Sequence, residues 1–119
     1  MKAYKERKKD FSELEFLFHQ FNVNYTNEDE DEEIFSFNIN DKNELSTLFS
    51  LYIKKRFLSL PEKERFNLIN ILKKYIANSH EKFDDLFSMA DPIFLSEIEN
   101  YRSYMEVLLI NIEDYHCNA

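Results

Sequence analysis

The sequence predicts an all-α fold, a single-domain bundle of four to five helices over residues 1–119, on three observations. Apolar residues recur at spacings of three and four along most of the chain, the period of one helix face. Glycine is absent altogether, and the two prolines, Pro61 and Pro92, stand at breaks between periodic stretches. A chain of this length with 44% hydrophobic residues can bury one core, and twelve Phe and seven Tyr without any Trp make that core one of packed rings.

The first helix is expected from about Asp10 to Phe21, where Phe11, Leu14, Phe18 and Phe21 line one face and Asp10 with Glu13 resembles a capping box. Asparagines at 22, 24 and 27 compete for backbone hydrogen bonds, so an acidic loop is expected at about 22–34. Phe35, Phe37 and Ile39 then alternate with polar residues, which fits one short extended segment near 34–39; it has no evident strand partner, so a helical or irregular path fits equally. Asp41 and Glu44 open a helix to about Leu58, with Leu45, Leu48, Phe49, Tyr52 and Ile53 inward. Ser59-Leu60-Pro61-Glu62 combines a capping serine, a proline in the first turn and a Glu that bonds back. The helix that follows turns Phe66, Ile69, Leu72, Tyr75 and Ile76 to the core and ends at Asn78-Ser79. A short helix is expected between Ser79 and Met89, around Phe83, Leu86 and Phe87. Asp91 caps and Pro92 starts a last helix to Tyr115, whose Ile98, Tyr101, Met105, Leu108, Ile112 and Tyr115 form a heptad seam. Over so few heptads the seam reads as the core face of a bundle helix, and the free protein as a monomer in preference to a homodimer.

The formal charge of −8 disfavours direct binding to nucleic acid, where affinity comes from Lys and Arg releasing counterions. Charge is also segregated. Residues 27–44 hold eight acids and one base, residues 54–74 seven bases and two acids, and residues 81–114 nine acids and two bases. The basic block of Lys54, Lys55, Arg56, Lys63, Arg65, Lys73 and Lys74 is placed to neutralise the acidic blocks from within the fold. The densest feature is the run Glu28, Asp29, Glu30, Asp31, Glu32 and Glu33, whose mutual repulsion a cationic protein surface would relieve. Beside it stands Tyr25, and the acidic C-terminal segment adds Glu97 and Tyr104, the latter off the heptad seam; a tyrosine among carboxylates suits a protein interface. These nine residues are the candidate partner-binding set.

No catalytic residues are nominated. Without glycine the chain lacks Gly-rich phosphate cradles and nucleophile elbows. Three scattered histidines suggest no base, and Cys117 follows Glu113 and Asp114, which oppose its ionisation. Asp29, Asp31 and Glu33 alternate as in a calcium loop, but Ile34 and Asn40 occupy the places of its required Gly and Glu. His116 and Cys117 are two ligands where structural zinc needs four, so neither metal nor cofactor is expected. The single cysteine and the lack of a long apolar run fit a cytoplasmic protein that does not enter membranes.

In size, acidity, helical layout and clustered carboxylates the whole chain resembles bacterial toxin-immunity proteins, those of colicin nucleases and of contact-dependent growth inhibition systems. The adjacent-tyrosine motif of the nuclease-colicin immunity family is not visible, so no family residue carries over. The resemblance implies an immunity or inhibitor protein that occludes the active-site region of a basic toxin or nuclease domain. A nucleic-acid-mimicking anti-defence protein and a structural helical homodimer subunit are the alternatives.

Overall fold

The computed structural model describes residues 2–22 and 24–119; Val23, within the expected loop, lies outside them. Among the described residues there are seven α-helices, no strand, and one isolated bridge between Asn22 and Pro92. The helices are α1 (Lys2–Phe18), α2 (Glu28–Phe35), α3 (Lys42–Tyr52), α4 (Lys54–Leu58), α5 (Glu62–Ala77), α6 (Asp84–Ala90) and α7 (Tyr101–Cys117). Short 3-10 turns cover His19–Phe21 and Leu95–Glu97. The all-α class stands, with more helices than the four to five expected, because the acidic run is itself helical and the helix after Asp41 divides at Ile53. That division is slight: Ile53 N–H donates to Phe49 O and Ile53 O accepts from Phe57 N–H, both at 2.8 Å, so the bonding runs through the kink.

The core lies among α1, α5 and α7. Glu6 and Asp10 meet Lys74 while Glu13 meets Asn67, so α1 and α5 run antiparallel. Arg102 reaches Ile76 O while His116 lies beside Phe66, so α5 and α7 do the same. Helices α3 and α4 pack on α7 through Phe49 against Tyr104 (ring centroids 5.2 Å) and Phe57 against Tyr115 (6.4 Å). Phe87 of α6 stacks on Tyr101 at 4.3 Å and on Phe18 of α1 at 5.9 Å. The radius of gyration, 13.8 Å, matches the roughly 13.5 Å of a well-packed domain of this size. No helix among the described residues is long and apolar enough to cross a membrane.

Several expected helix starts are corrected. Asp10 caps nothing: α1 already begins at Lys2, and Asp10 is buried on it, accepting from Lys74 Nζ (2.7 Å) and the Tyr75 hydroxyl (2.8 Å). Ser59 ends α4 instead of starting α5, which Pro61 precedes as the cap residue, its carbonyl accepting from Glu64 and Arg65 N–H at 3.0 Å. Asp91-Pro92 does not open the last helix. Asp91 closes α6, Pro92 lies in the bridge to Asn22, and α7 starts only after Asn100, whose side chain accepts from Ser103 N–H. The cap at Asp41, accepting from Glu44 N–H at 3.0 Å, and the stop at Asn78 are as expected. Phe66 is exposed, and Leu68 and Ile71 fill the core beside Ile69, Leu72 and Tyr75. The short segment near 34–39 is not extended: Ile34 and Phe35 end α2, and residues 36–41 turn into α3. Met105, Leu108, Ile112 and Tyr115 of the seam are buried, and Ile98 and Tyr101 are partly buried against the same core, so the seam is the core face of α7 and of the segment before it.

Among the described residues, the two with positive φ, Phe83 (65°) and Asp91 (42°), bracket α6. In a chain without glycine each bears the steric cost of the left-handed region, roughly 1–2 kcal/mol for an ordinary residue and less for Asp. Phe83 is fully buried; Asp91 is exposed. Asp91→Gly should therefore stabilise by about 0.5–1 kcal/mol, whereas Phe83→Gly, which deletes a core ring, should destabilise by about 3 kcal/mol. Chemical denaturation of the two variants checks the opposite signs.

Glu81, 6% exposed, accepts from Arg7 and, at 2.8 Å, from Phe83 N–H. Burial alone would push its carboxyl up, but Arg7 and the backbone donors of Phe83 and Lys82 outweigh burial and hold the carboxyl below its ordinary 4.5. A carboxyl depressed on folding contributes stability above its unfolded pKa and loses it as pH falls through the folded one. Glu81→Gln should thus destabilise at pH 7, with the difference from wild type closing below about pH 4.5; urea titrations across pH 2–7 measure it.

Candidate partner-binding surface

The acidic run forms α2, not part of the loop expected over 22–34. Its start is built at Asn22 and Asn27. Asn22 O accepts from Tyr25 and Thr26 N–H, and the Asn22 side chain donates to Ala90 O and accepts from Asn24 N–H, folding the chain back toward α6. Asn27 Oδ1 accepts from Glu30 N–H at 2.9 Å, while Asn27 Nδ2 donates to Glu30 Oε1 at 2.6 Å, so the two side chains lock the first turn. Glu28, Asp29, Glu30 and Asp31 occupy that turn, where the exposed N–H groups favour negative charge. The spacing Asn27 to Glu30 is the signal that reading the run as a loop overlooked.

Only Ile34 of α2 is buried, fully, and it pins the helix to the core. Glu28, Asp29, Glu32 and Glu33 are exposed; Glu30 and Asp31 are half-buried. Glu33 Oε1 accepts from the Tyr52 hydroxyl of α3 at 2.6 Å. Desolvation first, and then Glu33 and Glu30, push the Tyr52 phenol well above its ordinary range, so it stays a neutral donor. The decisive feature is in the ion pairs. Among the described residues Arg7 pairs with Glu81 and Asp85, Lys73 with Glu113, Lys74 with Glu6 and Asp10, and His19 lies near Glu15. None reaches Glu28–Glu33. Of the basic block only Lys73 and Lys74 enter ion pairs among the described residues, Lys73 with Glu113 in the 81–114 acidic block and Lys74 with Glu6 and Asp10 of α1, so the expected neutralisation reaches the C-terminal acids at one place and does not reach the acidic run.

The other candidate residues separate. Tyr25 is 52% exposed and packs its ring 4.3 Å from that of His19, just before α2. Glu97 is exposed in the 3-10 turn, where Asn40 Nδ2 donates to its carbonyl and Asn40 Oδ1 accepts from Glu99 N–H. It shares a shallow depression of about 350 Å³ with Phe35, Phe37 and Asn40, so it borders the C-terminal end of α2. Tyr104 does not belong to this surface. It is 3% exposed, at the centre of a ring cluster with Phe18, Phe49, Phe87 and Phe94. Phe35, which the alternating pattern placed half inside, is 48% exposed at the end of α2 and supplies an aromatic that the sequence reading missed.

Among the described residues no group of three or more His, Cys, Asp or Glu side chains is placed to hold a metal ion. The surface is thus an uncompensated acidic helix flanked by Tyr25 on one side and by Phe35 and Glu97 on the other. No family model, no curated protein and no solved structure matches the chain.

Asn27→Ala removes both side-chain bonds at the start of α2 and should cost about 1 kcal/mol. Amide hydrogen exchange should accelerate locally, across residues 28–33, with the amides of α5 and α7 unchanged.

Proposed function

We propose that the protein is an immunity or inhibitor protein that binds a cationic toxin domain, a nuclease in the first instance, and neutralises it by occluding its active-site region. It acts by binding and carries no reaction of its own. The observation that carries this reading is that six adjacent carboxylates, Glu28–Glu33, stand on one helix with no ion pair to any of them among the described residues. Six carboxylates held on one capped helix repel one another in the free protein, and a basic surface relieves that repulsion on docking. Tyr25 and Phe35 add exposed ring area to a charged patch, the combination that gives an interface both encounter rate and residence. A nuclease face, basic because it handles phosphate, fits both demands.

The nucleic-acid-mimic reading fits less well. Six residues of helix rise only about 7.5 Å from first to last, about two base-pair steps of a duplex, so the run presents too short a row of charge to replace a phosphate backbone.

Neutralising the run with the six changes E28Q, D29N, E30Q, D31N, E32Q and E33Q should slow association with the toxin captured from the source cell by about 10–100-fold at low salt. It should abolish most of the salt dependence and weaken protection in cells. Unchanged association and protection would end this reading.

A further inference from the structure

We propose that the groove between α1 and α5 is a second docking surface, which takes a lysine or arginine side chain with an apolar neighbour from a segment of a protein partner. The groove, about 370 Å³, is lined by Glu13, Phe16, Leu60, Glu64, Asn67 and Leu68. Its floor is apolar: Leu68 is 4% exposed, and Phe16 and Leu60 are half-buried. The lining holds two carboxylates, and neither Glu13 nor Glu64 enters an ion pair among the described residues; the Arg56 guanidinium beside the groove is engaged on Phe16.

The wall is held in place. Arg56 of α4 stacks its guanidinium 3.9 Å over the Phe16 ring and donates through Nε to Phe16 O at 2.6 Å. Asn67 Nδ2 donates to Glu13 Oε2 at 2.9 Å, which orients that half-buried carboxylate and leaves its second oxygen open. A long basic side chain matches this layout, since its methylene stem covers apolar surface while its charged head stays at the rim between the acids. The volume leaves room for an adjacent apolar residue. Glu13 lies about 200° around the helix from Glu15, so the groove faces away from the His19–Tyr25 side of α1, and the inference does not rest on the reading of α2.

The test is a two-dimensional ¹⁵N NMR titration of the full chain with acetyl-Leu-Lys-Leu-amide, its norleucine counterpart, and n-butylammonium chloride. The lysine peptide should shift the amides of Glu13, Phe16, Glu64 and Leu68 in a saturable way, and the other two probes should bind about fivefold more weakly. Glu64→Gln, at an exposed position that leaves the core untouched, should weaken the lysine peptide about threefold. The variant with all six α2 acids neutralised should bind it as wild type does. The proposal is overturned by an absence of localised shifts, by equal binding of the norleucine peptide, by equal binding of n-butylammonium, which would mark a small-cation site, or by loss of binding in the α2 variant.

Discussion

The turn from α5 into α6 has to reverse the chain without glycine, and two arginines make that possible. Arg102 of α7 donates to three carbonyls in succession, Ile76 O and Asn78 O at 2.7 Å and Glu81 O at 2.8 Å. Arg7 of α1 takes the buried Glu81 carboxylate from the other side, with a second bond of 3.1 Å to Asp85. Glu81 in turn accepts from the N–H of Phe83, the residue forced into the left-handed region. A buried carboxylate, an exposed-to-buried arginine and a strained backbone would each be unfavourable alone; together each satisfies the next. The consequence is that α1, α5 and α7 are all bonded to the same six residues.

Placing that turn places the aromatic core. Helix α6 begins directly after Phe83, so its Leu86 and Phe87 enter between α1 and α7, where Phe87 meets Phe18, Tyr101 and Tyr104. Tyr104 touches rings from four other segments, at centroid distances of 5.2 to 6.1 Å. Edge-to-face pairs dominate around it, the geometry in which ring quadrupoles attract. With no Trp in the chain, a tyrosine therefore serves as the hub of the core, and its phenol is pushed far above the ordinary range by desolvation.

The periodic apolar stripes, the cap at Asp41 and the stop at Asn78 were legible because each is a local signal. Tyr104 was not, because a two-position heptad seam is narrower than the face a helix presents to a globular core: α7 buries residues 104, 105, 107, 108, 112 and 115. Asp10 and Asp91 look like caps from sequence for the same reason that they are useful elsewhere. A short carboxylate near an apolar stripe also suits a buried pair with Lys74 and Tyr75, or a left-handed exit from α6, and only the long-range neighbours decide. Phe35 was misread because alternation over three aromatics is shared by a strand and by a helix end followed by a turn.

The acidic helix is the densest run of charge in the chain and has no ion pair among the described residues, and the manner of its attachment explains how. Asn27 and the N-terminal dipole favour Glu28 to Asp31, but the same dipole disfavours Glu32 and Glu33 four to five residues on. A lysine facing Glu33 would have met that cost and cancelled charge at once. Tyr52 meets it otherwise: its phenol, held neutral by burial and by the carboxylates themselves, satisfies Glu33 with one short hydrogen bond and removes no charge. Ile34, fully buried one residue later, supplies the apolar anchor. The helix is thereby fixed in position by neutral contacts alone, which keeps its field directed at solvent and at whatever cationic surface approaches.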